Sequence, residues 1–293
     1  MTSRTRVLVF GERGQLGQEL LAANPSGSHV LGSDGTDITN ATTVREAIQN
    51  HRPDAVVNCA AFTGVDDAEV DTERAYAVNR DGAGIVANAC AEAGVHVVQV
   101  STDFVFDGTQ STPYEPRTET HAIGVYGKSK AEGEAAVTAA GPAAIVRTSW
   151  VYSTYRSNFV KTMLNLMRAG RDLNVVDDQR GAPTWTRDLA AALLAVAERG
   201  RTGVGHWSDA GSCTWYEFAV AIQNSALAVG SVERPVSISP VTTADYAELI
   251  GKELAPRPAY SVLDSTSLAL AIDRRPRSWE VCLSEMIEEE RSA

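Results

Sequence analysis

The chain has 293 residues, of which 44% are hydrophobic, and this length suggests about two domains or one large α/β domain with an additional lobe. Its 26 basic and 37 acidic residues give a formal net charge of −11 at pH 7, so neither nucleic acid nor an anionic membrane is expected as the main partner. The 4 cysteines and 5 histidines lack the close spacing that a zinc or histidine-rich metal centre requires. The longest apolar run, 189–197, is too short for a membrane span, and residues 1–6 carry no signal-peptide pattern, so the expected compartment is the cytoplasm.

Strand and helix patterns alternate through the first half of the chain. Short apolar, β-branched runs predict strands over 6–10, 29–32, 55–59, 95–100 and 143–147. Apolar residues at helical spacing predict helices over 15–23, within 66–93 and over 126–139. This alternation predicts an α/β fold with a Rossmann-like, doubly wound parallel sheet covered by helices on both faces.

The pattern becomes less regular after residue 151. Helices are predicted over 158–169 and 187–199, with a loop rich in turn residues over 175–184 and a return to the sheet at 204–207. We therefore predict a Rossmann-like domain over 1–150, rejoined by about 183–207. Residues 151–293 are predicted to form mainly a smaller substrate-binding lobe.

A glycine-rich turn joins the first predicted strand to the first helix. In dinucleotide-binding turns, the glycines allow the tight turn, the approach of a pyrophosphate and the close packing of helix on strand. The N-terminus of the helix offers backbone N–H groups to phosphate. We therefore predict that the first domain binds NAD(P). The predicted cofactor residues of this turn are Gly11, Arg13, Gly14, Gln15, Leu16 and Gly17.

The choice between NADH and NADPH depends on charges after the second strand. Asp34 stands where an acid that binds the ribose is expected, and Asp37 with Ile38 is a second candidate on the adenine side. An acid favours NADH, whereas Arg13 could bind the 2′-phosphate of NADPH. The sequence leaves both cofactors open.

A tyrosine and a lysine four residues apart, Tyr126 and Lys130, share one face of the predicted helix over 126–139. A nearby ammonium group favours the phenolate, so we expect Lys130 to lower the pKa of Tyr126 and make it an acid for a carbonyl oxygen. Thr102 follows a predicted strand, at the edge where parallel sheets bind ligands, and could share a hydrogen bond with that oxygen. Thr102, Tyr126 and Lys130 are the predicted catalytic residues.

Several motifs occur together and in a fixed order along most of the chain. On these motifs the sequence resembles the dTDP-4-dehydrorhamnose reductases, within the extended short-chain dehydrogenases/reductases. The motifs are Gly11-x-x-Gly-Gln-Leu-Gly17, Asn58-Cys-Ala-Ala-Phe-Thr63, Val65-Asp66, Ala77-Val-Asn79, Ser101-Thr-Asp-Phe-Val-Phe-Asp-Gly108, Tyr126-Gly-Lys-Ser-Lys130, Arg147-Thr-Ser-Trp-Val151, Asp178-Gln-Arg-Gly-Ala-Pro-Thr184 and Arg257-Pro-x-x-Ser-x-Leu-Asp264.

The resemblance implies a reaction and assigns roles to further residues. The reaction is reduction of the C4 ketone of dTDP-6-deoxy-L-lyxo-4-hexulose by NADPH or NADH, which gives dTDP-L-rhamnose. Tyr126 would donate the proton, Lys130 would also hold the cofactor ribose, and Thr102 would orient the ketone. The implied sugar-pocket residues are Val65, Asp103 and Trp150, and those along the cofactor are Ala60, Ala61, Thr63 and Asn79.

Two further residues, Arg257 and Trp150, each have both a binding and a structural interpretation. Arg257 could bind the nucleotide diphosphate, because a guanidinium binds phosphate oxygens in pairs, or it could lie on the surface. Trp150 could stack on a sugar ring or belong to the core. The other four tryptophans are predicted to be packing residues: Trp185, Trp207, Trp215 and Trp279.

The resemblance also raises the question of a metal and of oligomeric state. Some family members form a dimer bridged by Mg²⁺ and held by glutamates. Glu19 and Glu289 fall at plausible matching positions, with Asp188 near a third, although ordinary surface acids are the favoured interpretation. No metal is expected at the active site, and the protein is expected to be a monomer or a homodimer.

Two other functions remain as alternatives. The first is another nucleotide-sugar enzyme, such as a different 4-ketoreductase or an epimerase. A dehydratase is disfavoured because dehydratases of this type carry an Asp-Glu pair after the threonine, whereas Asp103 is followed by Phe104. The second is a non-catalytic NADP-binding regulatory subunit, which would be expected to lose part of the Thr102, Tyr126 and Lys130 set.

Overall fold

The computed structural model describes residues 4–23 and 27–292. The expectation that residues 1–6 carry no signal-peptide pattern concerns residues 1–3 in part, and these three lie outside the described residues. In chain order the strands are β1 (Thr5–Phe10), β2 (Ser28–Gly32), β3 (Ala55–Asn58), β4 (His96–Thr102), β5 (Ala144–Thr148), β6 (Val151–Tyr152), β7 (Leu173–Val176), β8 (Arg180–Gly181), β9 (Thr184–Trp185), β10 (Gly203–His206), β11 (Cys213–Thr214) and β12 (Ile238–Val241).

Helices connect these strands and cover the sheet. They are α1 (Gln15–Ala22), α2 (Ala41–His51), α3 (Val65–Val70), α4 (Thr72–Tyr76), α5 (Ala83–Ala93), α6 (Val125–Ala140), α7 (Phe159–Arg168), α8 (Thr186–Glu198), α9 (Trp215–Ala228), α10 (Thr243–Ile250), α11 (Thr266–Ile272) and α12 (Trp279–Ser292). A π-helical segment, Ala77–Gly82, joins α4 to α5, and a 3-10 turn, Asp103–Val105, follows β4. No described helix has both the length and the apolar character needed to cross a membrane.

The central sheet has six strands in the order β10-β5-β4-β3-β1-β2, and every neighbouring pair is parallel. The chain runs from β1 outward to β2 and then returns to the other side of β1 at β3. The strand order therefore reverses between β1 and β3, which is the place where open α/β sheets bind ligands. The predicted doubly wound parallel sheet is confirmed.

Both faces of the sheet are buried, and this explains why its strands are continuous apolar runs. Val7 and Val9 point to the face covered by α1, α8 and α11, whereas Leu8 and Phe10 point to the face covered by α2, α5 and α6. A third core lies under α7, α9 and α12, where Phe218 is among the buried residues. This third core is the interior of the lobe.

The structure differs from the predicted elements in the loops. Helix α2 was not predicted, although its first turn is capped by the side chain of Asn40, which accepts from the backbone N–H groups of Thr42 and Thr43. The predicted loop over 175–184 contains the short strand β8, the last two residues of β7 and the first residue of β9. After residue 151, α8, β10 and α11 return to the sheet, while α7, α9, α10 and α12 lie in the lobe.

Candidate active site

The turn between β1 and α1 requires glycine at two positions. Gly11 has a φ of +81°, and a methyl group there would lie 2.5 Å from the backbone nitrogen of Ala60. A methyl group on Gly17 would collide with the Gly11 carbonyl oxygen and the backbone of Glu12. Helix α1 begins directly after Gly14, which has no side chain to bond the first N–H groups. These N–H groups and the positive end of the helix suit a phosphate.

A cleft of about 730 Å³ opens beside this turn, at the carboxyl ends of β1, β3, β4 and β5. In the described part of the chain, the predicted catalytic, cofactor and substrate residues all line this cleft except Arg13, Asp34 and Asn79. Residues far apart in sequence, from the glycine turn to Arg257, are thus brought to one cavity. Its volume is in the range of small-molecule and cofactor sites.

Asp34 does not face the cleft. Its φ is +57°, its side chain is 90% exposed, and its carboxylate lies 3.7 Å from the ring of His51. Glu12 binds the turn after β2 instead, because its carboxylate accepts from the Ser33 hydroxyl at 2.8 Å and from the Gly35 N–H at 2.5 Å. The left-handed backbone at Asp34, which a strand prediction does not contain, directs its carboxylate into solvent.

Arg13 lies beside the turn after β2, and it is not among the residues that line the cleft. A methyl group on Gly35 would lie 2.6 Å from a guanidinium nitrogen of Arg13, so the two residues are in close contact. The cation therefore stands at the end of β2, where an acid for the ribose was predicted. This position favours a negatively charged group at the adenosine ribose.

Asn79 does not line the cleft itself, and its predicted position along the cofactor stays a prediction. Its amide donates to the Phe62 carbonyl and to the Ser129 hydroxyl, both at 3.0 Å, and accepts from the Phe62 N–H at 2.9 Å. Asn79 is only 2% exposed. It shapes the loop that contains Ala61 and Thr63, and connects this loop to helix α6.

Tyr126 is in the first turn of α6, and Thr102 is the last residue of β4. Burial raises the pKa of the Tyr126 phenol to about 12, the hydrogen bond with Thr102 lowers it, and the charge of Asp103 raises it. The Lys130 ammonium donates to the Val100 carbonyl at 2.7 Å, and the lowering of the Tyr126 pKa by its charge stays a prediction. Tyr126 is therefore a protonated phenol at neutral pH.

Lys130 is buried beneath the cleft. Burial lowers the pKa of its ammonium to about 8, and the negative charge of Glu134 opposes this shift. At pH 7 the group is still mostly charged. A positive charge at this depth stabilises negative charge that develops on a neighbouring oxygen.

The substrate side of the cleft contains a buried carboxylate and an oriented cation. Asp103 is 1% exposed, and burial raises its pKa to about 6, against hydrogen bonds from Ser261 and Thr102. The Arg257 guanidinium donates to the Asp66 carboxylate and to the Ala255 carbonyl, both at 2.9 Å. Asp66 therefore holds Arg257 at the rim, where it could bind a diphosphate.

Sequence reasoning missed two aromatic residues of the cleft, Phe104 and Trp215. Trp215 was predicted to be a packing residue, but it lines the cleft and stacks on Trp150. The signal was absent from the local sequence because Trp150 and Trp215 meet only in the folded chain. Trp185, Trp207 and Trp279 are buried, as packing residues are.

The two glutamates considered for Mg²⁺ do not fit a metal site in this chain. Arg187 donates to Glu19 at 3.1 Å and to Glu289 at 2.7 Å, so a guanidinium already stands between the two carboxylates. Asp188 is paired instead with Arg277 at 2.8 Å. A divalent cation between Glu19 and Glu289 would have to displace Arg187.

A glycine turn at the switch point of a parallel sheet, with a partly buried phenol in the same cleft as the end of a neighbouring strand, is the arrangement of short-chain dehydrogenases/reductases. The fold and the cleft thus define a nicotinamide-dependent oxidoreductase of this class. The sequence model of the family described as "RmlD substrate binding domain" matches residues 5–292. The chain belongs to this family, the dTDP-4-dehydrorhamnose reductase family, and the predicted resemblance is confirmed.

Individual relatives are similar over nearly the full length. A dTDP-4-dehydrorhamnose reductase of Aggregatibacter actinomycetemcomitans is 39% identical, with 95% of this chain and 97% of that protein aligned. A probable dTDP-4,6-dihydroxy-2-methyloxan-3-one 4-ketoreductase of Streptomyces antibioticus is 41% identical over 88% of this chain and 86% of that protein. The crystal structure of dTDP-4-dehydrorhamnose reductase from Bacillus anthracis in complex with NADP is 35% identical, has a TM-score of 0.90 and covers 98% of this chain and 100% of that one.

Proposed function

We propose that the protein reduces the C4 ketone of dTDP-6-deoxy-L-lyxo-4-hexulose to dTDP-L-rhamnose, the last step of dTDP-rhamnose synthesis. The observation that carries the proposal is that Thr102, Tyr126 and Lys130 line one cleft together with the glycine turn. A reduction needs an acid at the carbonyl oxygen, and a protonated phenol whose acidity a neighbouring ammonium increases can donate that proton. The relatives named dTDP-4-dehydrorhamnose reductase support the choice of sugar.

Each residue of the cleft has its own proposed role in the reaction. When bound, the reduced nicotinamide supplies a hydride to the ketone carbon. Tyr126 donates its proton to the ketone oxygen, so the carbonyl becomes a secondary alcohol. Thr102 holds that oxygen by a hydrogen bond, and the Lys130 ammonium stabilises the phenolate that Tyr126 leaves behind. Arg257 is proposed to bind the diphosphate, with Val65, Asp103 and Trp150 around the sugar.

The cofactor residues follow from the turn and the loop after β3. We propose that the N–H groups at the start of α1 bind the pyrophosphate, with Gln15 and Leu16 in that first turn. Ala60, Ala61 and Thr63, in the loop after β3, also line the cleft and are proposed to contact the cofactor. The Arg13 guanidinium beside the turn after β2 favours NADPH over NADH.

The proposed compartment is the cytoplasm, and the proposed assembly is a monomer or a homodimer. All four cysteines are free thiols, which is usual for proteins of a reducing compartment. We propose that the protein binds neither nucleic acid nor a membrane. The partner is the dTDP-sugar substrate.

Tyr126→Phe tests the chemistry. The substitution removes only the phenol oxygen, so we expect kcat to fall by about 10²- to 10⁴-fold, with the Kd for NADPH unchanged. The measurement is the loss of nicotinamide absorbance with the hexulose substrate, beside a calorimetric titration of NADPH. Tyr155→Phe, which removes a phenol outside the cleft lining, is the matched control. Full activity of Tyr126→Phe would remove Tyr126 from the role of acid.

A second candidate is a 4-ketoreductase that acts on a different dTDP-sugar, and the Streptomyces antibioticus relative favours it. The two are separated by assaying wild-type protein with dTDP-4-keto-6-deoxyglucose, with and without a 3,5-epimerase. Oxidation of NADPH only with the epimerase supports the rhamnose reaction. Oxidation without the epimerase supports the second candidate, and no oxidation in either assay supports a binding subunit without catalysis.

A further inference from the structure

Two tryptophans from distant parts of the sequence form a stacked pair in the wall of the cleft. Trp150 follows β5, and Trp215 is the first residue of α9 in the lobe. Their indole centroids are 3.6 Å apart, and the two planes are 8° from parallel. Both residues line the cleft, as Asp103 and Arg257 do. The pair therefore joins the sheet and the lobe at the place proposed for the sugar.

The backbone of Trp150 is in an unfavourable conformation. Its φ of +45° lies in the left-handed region, which bulky side chains rarely adopt and which persists only where the surroundings hold it. The Trp150 carbonyl accepts from the Thr184 N–H at 3.2 Å. A methyl group on Gly181 would lie 2.6 Å from the Trp150 indole nitrogen, so glycine is required for the indole to pack there.

Trp215 is itself fixed from the lobe. Its indole N–H donates to the Gln179 side-chain oxygen at 3.3 Å. Phe159 packs on it, with ring centroids 4.6 Å apart and planes at 54°. Because these contacts fix the Trp215 ring, the ring can in turn restrict the orientation of Trp150.

We propose that Trp215 is a positioning residue: it holds the strained Trp150 in the orientation in which Trp150 contacts the hexose ring of the nucleotide sugar. The proposal rests on the proposed function only for the nature of the ligand. Aromatic rings bind the apolar faces of sugars only in a set orientation, and stacking fixes the orientation of an indole more tightly than a loop backbone does. Simple packing would not require a ring stacked in parallel at the cleft surface.

The stack itself is tested by circular dichroism. Two stacked indoles couple their electronic transitions, and they give a paired positive and negative band in the far ultraviolet when their transition moments are rotated relative to each other within the stacked planes. We expect the wild type to show this band and both Trp150→Phe and Trp215→Phe to lose it. Trp207→Phe, which removes a buried indole elsewhere, should keep it. A band that survives in Trp215→Phe would overturn the stack and the proposal with it.

The role is tested by calorimetric binding of dTDP-glucose, a stable nucleotide sugar, and of dTDP, which has no sugar. We expect Trp215→Phe and Trp150→Phe each to raise the Kd for dTDP-glucose about tenfold, and the double variant to raise it no further. The Kd for dTDP should stay unchanged in all three. Additive losses, an unchanged Kd for dTDP-glucose or weaker binding of dTDP would each overturn the proposal. Trp215→Tyr, which keeps a large ring, provides a second variant if phenylalanine disturbs α9.

These measurements do not depend on turnover. If the wild type binds dTDP-glucose but reduces no 4-keto sugar, the proposed function fails, while the binding cycle still decides the role of Trp215. If the wild type reduces the hexulose and the cycle is additive, the proposed function stands and the positioning role fails.

Discussion

At the residue scale, the cofactor preference depends on Arg13. The guanidinium lies against the turn after β2, and the Asp34 carboxylate that would repel a 2′-phosphate is turned into solvent. We expect Arg13→Ala to raise the Kd for NADPH by about 10- to 100-fold, because a charge-assisted hydrogen bond to phosphate is lost. The Kd for NADH should change little, and calorimetric titration of both cofactors measures the difference.

The matched control is Arg45→Ala, which removes an exposed arginine that pairs with Glu92 on the surface. It changes the net charge by the same amount and should leave both cofactor affinities unchanged. Equal losses for NADPH and NADH in Arg13→Ala would contradict the assignment of Arg13 to the 2′-phosphate.

Residue roles that depend on short sequence separations could be predicted, and those that depend on the folded chain could not. The roles of Gly11 and Gly17 follow from the spacing of one turn. The orientation of Asp34 was missed although the sequence carries a signal for it, because aspartate adopts the left-handed backbone more readily than most residues and Asp34-Gly35 is a turn dipeptide. Trp215 could not be placed from the sequence, because its partner Trp150 reaches it only through the packing of the lobe on the sheet.

At the element scale, helix α6 is held to the sheet by a buried ion pair. Glu134 of α6 accepts from Arg147 of β5 at 2.6 and 2.9 Å and from the Ser101 hydroxyl at 2.5 Å. The two charged side chains are only 8% and 5% exposed. Because α6 carries both Tyr126 and Lys130, this pair contributes to the position of the proposed acid.

We expect Glu134→Ala to lower the free energy of unfolding by about 3–5 kcal/mol, because Arg147 would remain buried without its counter-charge. Urea unfolding measures the change. Glu92→Ala, which breaks the exposed pair with Arg45, is the control and should cost less than about 1 kcal/mol. A Glu134→Ala variant as stable as the control would show that water replaces the carboxylate and that the pair does not hold α6.

Most elements of the sheet could be predicted from the sequence, because strands buried on both faces are apolar throughout. Helix α2 was missed although Val44, Ala47 and Ile48 stand at helical spacing and Asn40 is a residue that caps helices. The close approach of α6 to its neighbours was also missed. A methyl group on Gly127 would collide with the Phe104 carbonyl, and one on Gly133 with the Asn79 carbonyl. These glycines look neutral in a helical pattern and acquire their role from tertiary packing.

At the scale of the whole molecule, a buried carboxylate lies where the sheet and the lobe meet. Asp209 follows β10, is 2% exposed, and accepts from the backbone N–H of Trp185 at 2.9 Å. Its second oxygen has no hydrogen-bond partner in the described part of the chain. Asp188, Arg277 and the thiol of Cys282 lie close enough to affect its charge.

Burial raises the pKa of Asp209 to about 7 from the 3.8 of an unfolded chain; the Asp188 charge adds to the shift, and the Trp185 N–H, Cys282 and Arg277 oppose it. Between these two values the folded protein binds more protons than the unfolded chain, so this group makes the fold less stable as the pH rises from about 4 to 7.

Asp209→Asn keeps an acceptor for the Trp185 N–H and cannot ionise. Relative to the wild type, we expect the variant to gain roughly 3 kcal/mol of stability between pH 5 and pH 8. Urea unfolding of both proteins at the two pH values measures this difference, in which all other titrating groups cancel. An offset between the proteins that is the same at both pH values would contradict the prediction and show that Asp209 is ionised within the fold.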